Sequence, residues 1–133
     1  MIQKSSLQSN YTMGAKTNLP GVKIVIGEDG YHFVCGVVSI VGTGTAVISQ
    51  AKLRINGNTI LHTGGQVYHN SSNAGYNIIA QVPISSILYL KSGDIITIEV
   101  EATSGTVLAL PSGTSDATYI EAVNLTKLSR GGL

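Results

Sequence analysis

Residues 31–41 read YHFVCGVVSIV. The run is rich in β-branched and aromatic residues and is apolar at both odd and even positions. A strand shows its side chains alternately to opposite faces, so a run of this kind needs cover on both sides. One face meets the protein's own core. In an antiparallel protein the other face must meet a second sheet or a second subunit.

The text on either side is also β. "VKIVI" (22–26) leads into a turn cluster, Gly27-Glu28-Asp29-Gly30, that delivers the chain to the central run. Gly42-Thr43-Gly44-Thr45 breaks that run. "AVISQAKLRI" (46–55) follows, with Leu53 and Ile55 inward and Lys52 and Arg54 outward. Asn56-Gly57 is a hairpin signal, and "NTIL" returns. Residues 62–74 are polar and loop-rich, and 75–90 are apolar, with Pro83 marking an edge or a break. In "LYLKSGDIITIEVEATSG" (88–105) a Lys-Ser-Gly-Asp turn precedes a strand. Ile96, Ile98, Val100 and Ala102 take one face of it, and Thr97, Glu99 and Glu101 take the other, which reads as solvated. "TVLAL" (106–110) and "TYIEAVNLTKL" (118–128) are the last strands. About eight short strands without a helical pattern predict an all-β, antiparallel two-sheet jelly-roll sandwich. Residues 1–20 show neither period and read as a flexible N-terminal arm ahead of a jelly-roll domain at 21–133.

Composition supports a hidden second surface. The chain has 133 residues, which suits one domain, and only 11% are charged, against about 25% in a typical soluble domain. Self-association would cover the apolar surface that so few charges leave. A net charge of +1 makes no electrostatic case for nucleic acid or an anionic membrane. "MIQKSSLQSN" lacks the apolar core of a signal peptide, and no uninterrupted apolar run reaches transmembrane length, so synthesis in a cytoplasm without membrane insertion is expected. Cys35 is the single cysteine, which excludes an internal disulfide, and its apolar setting reads as a buried, inert thiol.

Chemistry-bearing patterns are sparse. His32, His62 and His69 are the histidines; they form no His-x-His pair, and no carboxylate stands near His62 or His69 in sequence. No Gly-x-Ser-x-Gly elbow or phosphate-binding glycine motif occurs, and "GTGT" (42–45) precedes no helix. The reading is a non-enzyme with no metal and no cofactor. Asn-x-Ser/Thr triplets at Asn10, Asn70 and Asn124 read as chance matches. Tyr68 and Tyr76 flank "HNSSNAG", a Tyr/Ser/Asn/Gly mixture found on binding surfaces, though tyrosines that cap the sandwich ends would look the same.

Four pieces recur in one order: Gly30-Tyr31-His32-Phe33, then Leu53-Arg54-Ile55-Asn56-Gly57, then Leu90-Lys91-Ser92-Gly93-Asp94, and a returning strand at Tyr119 to Leu128. Over residues 22–128 this order resembles the C1q/TNF-like jelly roll. The last strand lacks the Phe-x-Gly-Phe pattern of animal C1q domains, which directs the resemblance to bacterial and bacteriophage versions. Residues 1–133 contain no collagen-type Gly-x-y repeat. The resemblance implies a homotrimer whose inner sheet holds the strands at Tyr31–Val41, Asp94–Thr103 and Tyr119–Leu128. Tyr31, Phe33, Cys35, Tyr119 and Val123 are then expected at the trimer interface. The expected role is a virion structural protein, a trimeric capsid decoration (cement) protein that reaches the capsid surface after assembly in the host cytoplasm. It would bind the major capsid protein partly through Lys4, Tyr11 and Lys16 of the arm. The alternative is the receptor-binding head of a phage spike or fibre. That head would recognise a host surface glycan or protein through a loop bearing His62, Tyr68, His69, Asn70 and Tyr76.

Overall fold

The computed structural model describes residues 2–9, 11–43, 47–59, 67–69, 78–102, 106–109 and 118–126. They contain eleven strands: β1 (Ile2–Ser6), β2 (Tyr11–Met13), β3 (Thr17–Val25), β4 (Gly30–Thr43), β5 (Val47–Ile55), β6 (Asn58–Thr59), β7 (Val67–His69), β8 (Ile78–Leu90), β9 (Ile95–Ala102), β10 (Thr106–Ala109) and β11 (Tyr119–Asn124). A helical turn at residues 125–126 ends β11.

The strands form two antiparallel sheets around one core. β4 is the spine of the six-stranded sheet. β8 runs along one edge of it, from Gly30 opposite Leu90 to Gly42 opposite Ile78. β11 takes the first half of the other edge and β10 the second half. β1 adds outside β11, and β2 outside β10. The five-stranded sheet runs β3-β9-β5-β6, with β7 also on β5. Pro83 sits in β8, which among the described strands pairs with β4 alone; an edge strand tolerates a missing N–H.

The core follows from alternation. Val22, Ile24, Ala51, Leu53, Ile96, Ile98 and Val100 bury from one sheet against Val34, Val38, Ile84, Leu90, Ile120 and Ala122 from the other. Each fully buried aliphatic side chain contributes about 1.5–3 kcal/mol.

Two turns at one end of the sandwich interlock. Asn56 (φ 51°) and Gly57 (φ 81°) make the tight hairpin between β5 and β6. Gly93 (φ 94°) permits the turn before β9. Asp94 Oδ2 accepts from the Lys91 N–H at 2.8 Å, and its Oδ1 accepts from Asn56 Nδ2 at 3.0 Å. These two hydrogen bonds, the backbone one foremost, hold the Asp94 carboxyl below its ordinary pKa. A carboxyl lowered on folding stabilises the fold above its unfolded pKa, and that contribution is lost as pH falls through the folded value. The melting temperature should therefore drop as pH falls through and below the ordinary Asp value of about 3.9. In Asp94→Asn the fold should be weaker at neutral pH and lose less in acid. Parallel melting curves for the two proteins across pH would refute this role.

The structure corrects three expectations. Residues 1–20 are not an arm: β1, β2 and the first half of β3 belong to the sheets, and Leu7, Met13 and Leu19 are buried. The sandwich therefore starts at Ile2 rather than residue 21. β1 is tied across the sandwich edge to β3 by side chains. Gln3 Nε2 donates to the Val25 carbonyl at 2.7 Å, and its Oε1 accepts from the Gly27 N–H at 3.3 Å. Ser5 Oγ donates to the Gly21 carbonyl at 3.3 Å and accepts from the Lys23 N–H at 3.0 Å. The double variant Gln3→Ala/Ser5→Ala should speed amide exchange along β1 by about tenfold or more, at ~0.5–1.5 kcal/mol per bond. Unchanged exchange would show that the β1–β11 ladder alone holds the strand.

Second, β9 is not in the sheet of β4 and β11. It hydrogen-bonds to β3 and β5, so only two of the three strands expected together share a sheet. Third, the Glu99 face is not fully solvated. Glu99 is buried, and Arg54 on the neighbouring strand reaches it, Nη1 donating to Oε2 at 2.7 Å. Arg54 Nη2 also donates to the Gly57 carbonyl.

Candidate association face

The two sheets turn different chemistry outward. Among the described side chains outside the core, the five-stranded sheet carries Lys23, Lys52, Arg54, Thr97, Glu99 and Glu101, beside the exposed Val25 and its cross-strand partner Ile95. The six-stranded sheet is the reverse. Of the seven large hydrophobic residues exposed among the described residues, five lie on it: Ile2, Tyr31, Phe33, Ile87 and Tyr89. Their exposures run from 38% at Phe33 to 67% at Ile2.

Register brings these residues together. Ile2, Val123, Phe33 and Ile87 stand side by side on β1, β11, β4 and β8. At the usual strand spacing this row spans about 14 Å. Next to it, Tyr31 and Tyr89 are cross-strand partners in an edge-to-face contact, with ring centroids 5.2 Å apart and planes at 80°. The row on the other side holds Lys4, Glu121, Cys35 and Ser85. Beyond it come Ser6, Tyr119 and Val37. The Lys4 ammonium lies 4.6 Å from the Tyr119 ring centroid.

All five residues expected at an interface, Tyr31, Phe33, Cys35, Tyr119 and Val123, fall on this one face. Cys35 is half-buried there rather than sealed in the core. Burial, then the charge of Glu121, push its thiol above the ordinary value, while Lys4 pulls it down. A raised thiol is a poor nucleophile at neutral pH. Sequence reasoning missed Ile2, Val37, Ile87 and Tyr89. The alternation of Ile87 and Tyr89 in "SSILYL" was the available signal for the last two.

The other candidates are scattered. Lys4 is exposed on β1, Tyr11 on β2 packs against the core, and Lys16 is exposed between β2 and β3. Tyr68 and His69 lie on β7, opposite Ile48 and Val47 of β5. His62, Asn70 and Tyr76 lie outside the described residues. His32 points into the sandwich and is 2% exposed. Asn124 is buried, which agrees with its glycosylation triplet being a chance match.

The two sheets, with β11 returning between β1 and β4, have a counterpart among solved structures. The Eiger TNF of S. frugiperda superposes with a TM-score of 0.60 over 93% of this chain and 92% of that one, at 12% identity. The fold is a TNF-like jelly roll. No protein-family model and no curated protein matches the sequence. At 12% identity the likeness establishes the jelly roll itself.

Proposed function

We propose that this chain is a structural, non-enzymatic protein that works as a homotrimer closed through the outer face of its six-stranded sheet. The trimer's use, in this reading, is to decorate a virion by binding the major capsid protein. One observation carries the assembly: exposed aromatic and aliphatic side chains are gathered on one sheet face, while the opposite outer face carries more of the charges. Contiguous apolar patches on a soluble protein mark interaction sites. The occupant favoured is a second copy, because the face carries both signs of charge beside its apolar strip, Lys4 opposite Glu121. Copies meeting there can offer each other an unlike charge and an unlike edge. The low charge content fits a chain whose apolar face is covered in use.

With residues 2–25 folded into the sandwich, capsid docking falls to the surface of the head rather than to a free arm. Lys16 and Lys91 are exposed basic residues that stand outside the strands there.

Light scattering on the full chain tests the assembly. Three times the 13.8 kDa chain mass is expected, and a monomer at working concentration overturns the proposal. Decoration is tested separately by quantitative mass spectrometry of purified particles. Copy numbers in multiples of three support it, and absence from the particles overturns it while leaving the trimer standing.

A further inference from the structure

The interlocked turns at the end of the sandwich hold a reactive pair. Asn56 is the one asparagine in the chain followed by glycine. Gly57 has no side chain to shield its amide nitrogen from the Asn56 carboxamide. Both residues are exposed, so water and base reach them.

In the folded chain the carboxamide is held at both of its polar atoms. Asn56 Nδ2 donates to Asp94 Oδ1 at 3.0 Å, and Asn56 Oδ1 accepts from the Ile95 N–H at 2.9 Å. The backbone N–H of Asn56 donates to the Ile95 carbonyl at 2.9 Å, so main chain and side chain grip the same short segment. On the next residue the Gly57 carbonyl accepts from Arg54 Nη2. Turning Asn56 Cγ onto the Gly57 nitrogen breaks both carboxamide bonds. One of them ends on a carboxylate, and hydrogen bonds to ionised groups are the stronger kind.

We infer that Asn56 is a site of spontaneous deamidation, latched by Asp94. When the latch opens, the Gly57 nitrogen gives its proton to water or buffer base and bonds to Asn56 Cγ. The Cγ–Nδ2 bond breaks, and Nδ2 leaves as ammonia. Water then opens the resulting cyclic imide at either carbonyl, leaving aspartate or isoaspartate, and nothing is oxidised or reduced. The product does not fit the latch. The donor that faced Asp94 has become a carboxylate, and like charges at that distance repel. Isoaspartate also inserts a methylene into the hairpin backbone. This goes beyond the assembly reading and does not depend on it.

The test is peptide mapping by mass spectrometry, after incubation of the full chain in mildly alkaline buffer. Deamidation at Asn56 should be about tenfold or more slower in the folded protein than in the same chain unfolded in urea. Asp94→Ala should speed it by about tenfold over the folded wild type. Gly36→Ala, which crowds Ile98 and Ile120 in the core, is the control for global unfolding and should speed it less. Three results each overturn the latch: equal rates in folded and urea-unfolded chains, no acceleration in Asp94→Ala, or equal acceleration in Gly36→Ala. Circular dichroism checks that Asp94→Ala folds. If it does not, Asp94→Asn, which keeps the shape and loses the charge, replaces it with the same expected direction. Asn56→Asp carries the product's charge and should melt below the wild type at neutral pH. Equal melting would overturn the claim that the product loosens the turn.

Discussion

Replacing Phe33 with Glu is expected to convert the assembled protein to monomers without unfolding it. Phe33 points away from the core, is 38% exposed, and has Val123 and Ile87 as its neighbours across the sheet. In a free subunit a carboxylate there keeps its water, so the cost to folding is that of a surface change, about 0.5 kcal/mol or somewhat more. Between subunits the same carboxylate loses water and finds apolar partners. An uncompensated buried charge costs several kcal/mol after relaxation, and the copies add like charges to one another. At 1.4 kcal/mol per decade, dissociation should strengthen by orders of magnitude. Light scattering reads the mass, and circular dichroism checks the fold. Val25→Glu, on the charged outer face, is the control and should leave the mass unchanged. An oligomer that survives Phe33→Glu would place the interface elsewhere.

The second large effect is expected inside the sandwich. Gly36 lies on β4 facing the other sheet. A Cβ there would sit 2.9 Å from Ile98 Cδ1, 3.0 Å from Ile120 Cγ2 and 3.2 Å from the Tyr119 carbonyl oxygen. Ile98 and Ile120 are both fully buried, and the carbonyl belongs to the paired strand, so none of the three yields easily. Overpacking of this kind costs about 1–3 kcal/mol for Gly36→Ala and more for Gly36→Val. That is a large share of the ~5–15 kcal/mol that holds a domain together. Urea unfolding in the Phe33→Glu background would separate this loss from any contribution of assembly. A Gly36→Val protein as stable as its parent would mean the sheets pack less closely at this point than the distances require.

What the sequence disclosed depended on the range of the interaction. Tyr31–Val41, apolar on both faces, led correctly to a central strand, and the second cover that the run called for falls to the proposed assembly. Asn56-Gly57 disclosed its turn, because backbone preference is local. Pro83 signalled an edge or a break, and among the described strands β8 is an edge. Residues 1–20 were misread because β1 is an edge strand whose inward positions hold Gln3 and Ser5, which bond to β3 backbone instead of joining an apolar stripe. No local period reveals such a strand. Alternation in β9 gave its two faces but not its neighbours, so its sheet was misplaced. Glu99 was read as solvated because its cover, Arg54, comes from another strand.

The pairing of β1 with β11, Ile2 opposite Val123 through Ser6 opposite Tyr119, has a consequence for how the protein is made. These are the first and last strands described, so their contacts close a loop of nearly the whole chain. Contacts of such long sequence separation form slowly. On the ribosome β4 emerges well before β11, which fills half of one of its edges. Until then the spine of the sheet presents open hydrogen-bonding groups beside an apolar surface, a template for any neighbouring nascent chain. Aggregation thus competes with one late intramolecular pairing until that edge is filled.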